Sequence, residues 1–377
     1  MTDGADDSNN GIGKLYLVDS YKEFIEQEGI PFVTGFSVDC LTLPLEPWER
    51  LGGQGAYIQL DGTGDYADSY LVEIPAGGQL KPEQHLFDEV MYVASGHGAT
   101  AIELPGGKTE TFEWGPGSLF AIPLNAPHQH FNGSGSQPAR LYAETSLPIY
   151  LNLTHNRDFI FGCPYVFDDR YGDESFFRGE GKFRSIVQGR HQWESVFIPS
   201  LASLELQAWA ERGAGGKSIQ IILAESTLHA HVSEFPQGTY KKAHRKPSEA
   251  GVNIMCVTGE GYTLLWEEDE NPIDSIRVDW KPGTIFANGP GHHFHQHFNT
   301  ASFPARYLAL GFGGMRYPVT KGRRWAYDTA DKPLKDGGRQ IEYDGEDPRI
   351  LALFEEEMAK RGLESRMGDY VGARAGR

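Results

Sequence analysis

The sequence contains few cysteines and no long hydrophobic run. Only three of its 377 residues are cysteine, namely Cys40, Cys163 and Cys256, and they are far apart with no ligand-like spacing. An intracellular, reduced setting is therefore expected. No apolar run approaches the ~18 residues that a membrane span needs. The polar, acidic start MTDGADDSNNG lacks the basic and apolar regions of a signal peptide. These absences predict a cytoplasmic protein with no membrane partner.

Positive charge is also scarce. The chain has 34 Lys and Arg against 52 Asp and Glu, which gives a formal net charge of -18. Such a surface repels the phosphates of nucleic acids, so a nucleic-acid partner is not expected. The expected partner is a small-molecule substrate, and the acidic surface leaves room for a homodimer.

Glycine and proline, in contrast, are plentiful. The 46 glycines and 22 prolines are scattered along the whole chain, and they separate short apolar or alternating runs such as EVMYVASG and ATAIEL. This pattern is typical of many short strands joined by tight turns. We therefore predict an all-β protein with a few peripheral helices.

The chain contains an internal duplication. The pentapeptide HQHFN occurs at 128–132 and again at 295–299, and each copy is followed by Pro-Ala-Arg, at 138–140 and 304–306. The offset between the copies is 167 residues for the pentapeptide and 166 for the tripeptide. Two further pairs keep nearly the same offset and order: WGPGSLFAIP with WKPGTIFANG, and VASGHGAT with VTGEGYT. A tandem repeat of one β-domain is therefore predicted.

The duplication and the Gly- and Pro-rich turns between strands indicate the expected domain organisation. We predict an N-terminal tail and helix (1–30), an N-terminal barrel (31–162), an ordered connection (163–200), a C-terminal barrel (201–325), and a C-terminal helix and tail (326–377). Helix signals predict a first helix from Ser20, with a capping box to Glu23, that ends at Gly29. A second helix is expected after Asp347-Pro348, and a third over 201–211.

Histidines and carboxylates form the strongest chemical signal. Glu83 and His85 are two residues apart, so on one strand their side chains share a face, and the same holds for His128 and His130. Glu89 follows four residues after His85. If both strands line one barrel interior, imidazoles and carboxylates converge on a place where a metal could bind. Two histidines and one carboxylate with open positions suit non-haem Fe(II) and also accept Mn, Ni or Zn.

These spacings resemble the first of the two motifs of the cupin superfamily, whose members are small jelly-roll barrels that bind a metal. That motif is Gly, five residues, His-x-His, three or four residues, Glu, six residues, Gly. The chain has Gly77, His85, Glu89 and Gly96 in register, with Glu83 in the place of the first His.

The second cupin motif is Gly, five residues, Pro-x-Gly, two residues, His, three residues, Asn. Gly117, Pro123, His128 and Asn132 match it, and Asn125 stands in for the second Gly. The resemblance covers about 65–160 and 220–315, so it implies a bicupin, which is a chain of two tandem cupin jelly-roll barrels.

The resemblance implies which residues bind the metal in the N-terminal barrel. His85, Glu89 and His128 are the implied ligands, and Glu83 is a candidate ligand or general base. His130 is a candidate acid or base, because its ordinary pKa lies near neutrality. Fe(II) is the favoured divalent metal, with Mn, Zn or Ni as alternatives.

The second repeat departs from the motifs at two positions. His244 takes the place of the first His, but Lys246 stands at the second His and Val252 at the Glu. A weaker second site at His244, His295 and His297 is the alternative to a structural role for these histidines. We expect one functional metal per chain, in the N-terminal barrel.

Three hypotheses about function follow from the resemblance. The first is a non-haem Fe(II) dioxygenase, distantly similar to gentisate-type ring-cleaving dioxygenases, that acts on a small aromatic or hydroxylated organic acid. The second is an oxygen-independent Mn, Zn or Ni lyase, decarboxylase, isomerase or hydrolase, with Glu83 as the general base. The third is a non-enzymatic bicupin that binds a small molecule.

Overall fold

The computed structural model describes residues 17–63, 66–187, 189–246, 251–290, 292–314, 316–319, 329 and 331–371. Strands dominate it, as the turn-rich sequence predicts. The strands of the N-terminal half are β1 Phe32–Val33, β2 Ser37–Asp39, β3 Glu46–Trp48, β4 Gly53–Ile58, β5 Asp68–Ile74, β6 Glu89–Ser95, β7 Gly98–Glu103, β8 Thr109–Trp114, β9 Leu119–Ile122, β10 His128–Asn132 and β11 Ala139–Thr145. Those of the C-terminal half are β12 Lys182–Val187, β13 Arg190–Ser195, β14 Phe197–Ile198, β15 Gln207–Ala208, β16 Lys217–Leu223, β17 Leu228–Phe235, β18 Val252–Thr258, β19 Gly261–Trp266, β20 Ile276–Trp280, β21 Thr284–Ala287, β22 Phe294–Asn299 and β23 Ala305–Phe312.

Each half is a barrel made of a large and a small sheet. In the first barrel the large sheet has the order β1-β4-β5-β11-β6-β9-β14, with β3 beside β4, and the small sheet is β10-β7-β8. In the second barrel the orders are β12-β13-β16-β17-β23-β18-β21-β2, with β15 beside β16, and β20-β19-β22. The core strands β4-β5-β11-β6-β9 therefore correspond to β16-β17-β23-β18-β21. This common topology confirms the predicted fold of two tandem jelly-roll barrels.

The duplication extends to single residues. Gly96 and Gly259 follow the equivalent strands β6 and β18, with φ of +84° and +86°. A Cβ atom at either glycine would lie 2.5–2.7 Å from the Cα atom of Ala139 or Ala305. Only glycine allows this left-handed conformation and this close approach at no steric cost. The same turn is thus built twice from the same constraint.

The two barrels exchange strands. β2, from the N-terminal segment, pairs with β21 of the second barrel, and β14, from the connection, pairs with β9 of the first. In the predicted connection 163–200, the described residues from Lys182 onward include strands that pair with both barrels. The sequence of this connection is rich in Phe, Arg and Gly and has no apolar periodicity that predicts these strands.

Helices lie at the periphery: α1 Ser20–Glu28, α2 Leu147–Thr154, α3 Arg157–Phe161, α4 Pro348–Lys360 and α5 Gly368–Val371. Short 3₁₀ helices occur at Asp168–Arg170, Glu174–Arg178, Ala210–Arg212 and Leu334–Asp336. None of the helices within the described residues has the length and apolar character needed to cross a bilayer.

Two of the three predicted helices are confirmed. α1 ends at Gly29 in the left-handed conformation, but its N-cap is Asp19, whose side chain accepts from the Lys22 amide. α4 begins after the capping Asp347, with Pro348 in its first turn.

The helix predicted over 201–211 is wrong. The guanidinium of Arg306 donates to the carbonyl oxygens of Leu201 and Leu204, which a helix would need as acceptors. The chain then pairs with β16 as β15, and only Ala210–Arg212 turns into a 3₁₀ helix. A tertiary contact has overridden the local pattern.

Candidate metal centre

Three predicted ligands meet inside the first barrel. His85 precedes β6, Glu89 is the first residue of β6, and His128 is the first residue of β10. The Nε2 atoms of His85 and His128 lie 3.6 Å and 3.9 Å from Oε2 of Glu89. Donors bonded at about 2.1 Å to one ion lie roughly 3–4 Å apart, so these separations suit a shared metal.

The facing atoms of these residues have no hydrogen-bond partner. Nε2 of His85, Nε2 of His128 and Oε2 of Glu89 are all buried and unpartnered within the described residues. Leaving three buried polar atoms unsatisfied costs several kcal/mol, about 1–3 for each group. A bound cation would satisfy all three at once, so the residues fit the metal that the motif implies.

The other polar atoms of the ligands are fixed. Nδ1 of His85 donates to the carbonyl oxygen of Phe87 at 3.1 Å, and Nδ1 of His128 donates to that of Ala126 at 2.9 Å. These bonds leave the Nε2 lone pairs free for a metal. The Tyr70 hydroxyl donates to Oε1 of Glu89 at 2.5 Å, which turns Oε2 toward the two imidazoles.

The protonation states also favour metal binding. Burial alone would raise the pKa of Glu89, but the facing histidines and the Tyr70 hydroxyl lower it to about 2. Burial, together with the neighbouring His85 and His130, lowers the pKa of His128 to about 3. At neutral pH the site therefore presents a carboxylate and a neutral imidazole, which are the forms that bind cations.

Glu83 lies beside the cluster but makes a different contact. Its Oε1 pairs with Nη1 of Arg50, whose Nε bonds Oε2 of Glu28 at 2.6 Å. The Arg50 guanidinium also stacks over Trp48, 4.9 Å from the ring centroid. Burial raises the pKa of Glu83, and Arg50 partly opposes that rise. Glu83 is thus held at the rim, and the structure does not bring it into the ligand group.

His130 lies behind the cluster, with its ring centroid 5.3 Å from that of His128. Its Nδ1 is 2.8 Å from the Thr100 hydroxyl, which also accepts from Nε1 of Trp114 at 2.9 Å. The second barrel repeats this arrangement with His297, Thr263 and Trp280. Burial lowers the pKa of His130 to about 4. Because both barrels share this triad, it is a feature of the barrel core, and a proton-transfer role for His130 stays a prediction.

A narrow cavity with room for about one water molecule adjoins the metal cluster. Its lining includes residues that the sequence analysis did not single out: Arg50, Tyr57, Asp68, Tyr70 and Thr145. The internal repeat could have drawn attention to Arg50, because WERLGG at 48–53 corresponds to WAERGAGG at 209–216. Both segments place an arginine over the ring of an equivalent tryptophan, Trp48 or Trp209.

Asn125 explains one departure from the second motif. Its φ is +61°, in the left-handed region that asparagine tolerates better than most residues. Its amide donates to the carbonyl oxygens of Cys163 and Tyr165 at 2.8 Å and 2.7 Å. Asn125 therefore adopts the left-handed backbone conformation that the usual glycine allows, and its side chain also anchors the inter-barrel connection.

The second barrel does not bring its histidines together in the same way. Nε2 of His244 and Nε2 of His295 are hydrogen-bonded to each other at 3.0 Å. Val252 begins β18 where Glu89 begins β6, so no carboxylate faces them from this strand. Among the described residues, the other group with metal-ligand spacing is the half-exposed set Glu267, His292 and His293. The weaker second site at His244, His295 and His297 stays a prediction.

Comparisons with known proteins give limited matches. No protein-family model matches the chain. Acireductone dioxygenase of Bacillus cereus is 46% identical over 48 residues, which are 13% of this chain and 28% of that protein. The chain thus matches less than a third of the length of this curated relative.

Solved structures of Bacillus subtilis oxalate decarboxylase are also similar. One variant is 13% identical with a TM-score of 0.47, over 74% of this chain and 78% of that one. A second variant is 14% identical with a TM-score of 0.48, over 81% and 83%. At these values the likeness carries no argument about reaction or substrate.

The chain's own topology and site define its class. Two barrels of one strand order give the chain the fold of two tandem cupin-type jelly rolls, and the first barrel carries the motif residues. Within this class, the N-terminal barrel carries the donor set of a divalent-metal site in His85, Glu89 and His128.

Proposed function

We propose that this bicupin is a metal-dependent enzyme whose single working centre is held by His85, Glu89 and His128. The observation that carries the proposal is the meeting of three buried, unpartnered donor atoms in the first barrel. Two histidines and one carboxylate leave open positions on the metal, a set suited to non-haem Fe(II). When bound, the metal would supply Lewis-acid and redox chemistry to a coordinated substrate.

The reaction that we propose first is oxygen-dependent cleavage of a small hydroxylated or aromatic organic acid. The donor set supports it, and so does the short match to a protein named a dioxygenase. The chain's own residues would bind and orient the substrate. Arg50 lies at the cavity and presents a guanidinium, which pairs readily with a carboxylate. The cavity has room for about one water molecule, so a substrate of this class requires the side chains that line it to move apart.

The second candidate is an oxygen-independent lyase or decarboxylase. It is favoured by Glu83, a partly exposed carboxylate at the rim of the same cavity, where it bonds Arg50. If a substrate carboxylate took Arg50, Oε1 of Glu83 would be released and would accept a proton from the substrate. Mn, Zn or Ni would suit this reaction better than Fe(II).

Metal analysis and oxygen uptake separate the two candidates. The protein would be purified anaerobically, its metal measured by mass spectrometry, and O₂ consumption followed with a panel of phenolic and carboxylic acids. Uptake that depends on Fe(II) and is absent in His128→Ala supports the dioxygenase. Turnover without O₂ uptake, or with Mn alone, supports the lyase. Metal without turnover of any tested acid would favour a non-enzymatic binding protein.

A homodimer and a cytoplasmic location stay predictions. The free, buried state of Cys40, Cys163 and Cys256 agrees with a reduced setting. Light scattering of the full chain would give the oligomeric state.

A further inference from the structure

One surface loop of the second barrel differs from its counterpart in the first. The hairpin between β7 and β8 turns over residues 104–108, whereas the hairpin between β19 and β20 uses residues 267–275. The longer loop begins with the acidic run EEDE at 267–270, and all four of its residues are exposed. The first barrel has LPGGK at 104–108. The second barrel therefore carries carboxylates at this end of its small sheet that the first barrel lacks.

Two histidines lie at the same end of the small sheet. β19 and β22 are antiparallel neighbours, with Trp266 opposite Phe294 in their last pair. The rings of these two residues stack with their centroids 5.8 Å apart. Glu267 follows Trp266 and His293 precedes Phe294, so the two residues meet just beyond the last pair. His292 is the neighbouring residue of the same turn.

The three side chains present donor atoms to a common point. Nε2 of His292 and Nε2 of His293 lie 3.6 Å and 3.7 Å from Oε1 of Glu267. One donor atom of each residue lies within 4.8 Å of the others. These separations are too long for hydrogen bonds. Donors bonded at about 2.1 Å to one tetrahedral ion are roughly 3.4 Å apart, so small side-chain rotations would complete a metal site.

His293 is the most buried member of the group. Its side chain is 12% exposed, against 64% for His292 and 49% for Glu267. Nδ1 of His293 is buried and has no partner within the described residues, so Nε2 is the nitrogen that faces Glu267. Burial, and then the neighbouring His292, lower the pKa of His293. At neutral pH this residue therefore offers a neutral imidazole, which is the form that binds cations.

The acidic loop is held in place around Glu267. The Glu267 amide donates to Oε2 of Glu270 at 2.8 Å, and Nη1 of Arg245 donates to Oε2 of Glu268 at 2.7 Å. The charge of Glu270 also acts on His293. This charge adds to the negative potential that would attract a cation.

The turn that carries the histidines has a counterpart in the first barrel. At the offset of 167 residues that relates the repeats, His292 corresponds to Asn125. The amide of Asn125 ties its turn to the carbonyl oxygens of Cys163 and Tyr165. His292 has no amide group to make such bonds, and its ring lies beside Glu267 instead.

We propose that Glu267, His292 and His293 bind Zn(II) at the surface of the second barrel, and that the ion clamps the loop 267–275 to the turn before β22. Two imidazoles and one carboxylate are a donor set that Zn(II) accepts, with water in the fourth position. In the second barrel the ion would do what Asn125 does in the first. This inference does not depend on the metal or the reaction of the first barrel.

The surface ion should be held more loosely than that of the first barrel. Two of its three ligands are exposed side chains, which lose conformational freedom when they bind. The site is therefore expected to empty during purification, and to add to the metal content only when Zn(II) is supplied.

Isothermal titration of Zn(II) into the full-length protein, without a histidine tag, tests the proposal. The first centre would be loaded with Zn(II) beforehand and loosely held ions removed by dialysis, so that exchange of one metal for another contributes no heat. The test variants are His292→Ala and Glu267→Gln. The matched controls are Asp269→Asn, which removes a charge from the same loop, and His97→Ala, which removes an exposed histidine of the first barrel.

The wild type should bind one further Zn(II), and each test variant should weaken that binding tenfold or more. Both controls should leave it within twofold, and His128→Ala should keep it, which separates this ion from the first centre. No further Zn(II), or a further ion kept in His292→Ala and lost in His128→Ala, would overturn the proposal. Mg(II) should not bind, because it prefers oxygen ligands. Equal binding of Mg(II) would assign the ion to the acidic loop alone and would also overturn the proposal.

Hydrogen exchange tests the clamp. Amide exchange over 267–275 should slow several-fold when Zn(II) is added to the wild type and stay unchanged in His292→Ala. Equal exchange rates in the wild type with and without bound Zn(II) would overturn the clamp.

Discussion

The interiors of the two barrels differ in charge although their backbones follow one plan. Equivalent positions of the two barrels hold Glu89 or Val252, His85 or Lys246, and Tyr70 or His231. The structural triad of threonine, tryptophan and histidine is kept in both. A duplicated barrel can therefore keep its packing while a few inward positions change the charge of its interior. Substitutions can test which of these positions make the two barrels differ.

The largest effect is expected from removing a ligand of the first barrel. His128→Ala should lose at least about a hundredfold in metal affinity, more than the loss of an outer hydrogen bond produces. The metal content of the purified protein, measured by mass spectrometry, should fall from about one ion per chain to almost none. The control is the equivalent His295→Ala, which should keep its metal. Metal retained in His128→Ala and lost in His295→Ala would place the working centre in the other barrel.

Restoring the missing ligands should add a second site. The double variant Lys246→His with Val252→Glu recreates the first barrel's donor set around His295, so the metal content should rise toward two ions per chain. Each single variant is the control and should stay near one, because a three-ligand site needs all of its donors. A double variant that folds but still binds one ion would show that features beyond these positions decide which barrel binds metal.

The interface between the barrels should make stability depend on pH. Glu144 of β11 accepts from Tyr142 and from Asn253 of the second barrel, and burial raises its pKa to about 7. The folded state then holds a proton that the unfolded state has already released above about pH 4.5. The contribution of Glu144 to stability is therefore full below about pH 4.5 and falls by about 3 kcal/mol as the pH rises to 7. Buried histidines such as His128 and His130, whose pKa values are lowered to about 3 and about 4, contribute the opposite trend.

Chemical denaturation of the wild type and of Glu144→Gln at pH 5 and pH 7.5 isolates this decline, because the histidines titrate in the same way in both proteins. Glu144→Gln should largely abolish it and raise stability at pH 7.5, because the amide accepts the same bonds without a charge. The exposed Glu113→Gln is the matched control and should leave the decline unchanged. An equal decline in Glu144→Gln would assign the effect to other groups.

Removing the Tyr70 hydroxyl, which orients Glu89, should have a smaller effect on metal affinity. Tyr70→Phe removes the 2.5 Å bond to Oε1 and should weaken metal binding by about 10–100-fold. Competition with a chelator measures this affinity. Tyr92→Phe, another buried strand tyrosine, should leave it unchanged. Unchanged affinity in Tyr70→Phe would mean that the histidines alone hold the carboxylate in place.

The smallest difference between the two barrels is expected when the shared triad of threonine, tryptophan and histidine is disrupted. Thr100→Val and Thr263→Val each leave a buried tryptophan and histidine without their common partner, at a cost of about 1–3 kcal/mol for each of the two groups. Thermal denaturation should show similar losses for the two variants, with metal content preserved in both. A loss of turnover in Thr100→Val with metal retained would instead give His130 a role in the reaction.

Much of the fold and of the candidate metal site could be predicted because both depend on local spacing. The repeat gave the two barrels, and the motif register gave His85, Glu89 and His128. Arg50 and Tyr70 were missed, because they reach the cavity through tertiary packing from segments outside both motifs. The helix expected over 201–211 failed for the same reason, since Arg306 is about a hundred residues further along the chain.

The exchanged strands have a consequence for how the protein is made. β2 leaves the ribosome about 245 residues before its partner β21. At roughly 5–20 residues per second, this short segment waits on the order of ten to fifty seconds with its backbone unpaired. The first barrel also lacks its last edge strand, β14, until the connection has been translated. The nascent chain therefore cannot finish one half before starting the other, and a ribosome that stalls midway would leave open strand edges exposed to aggregation.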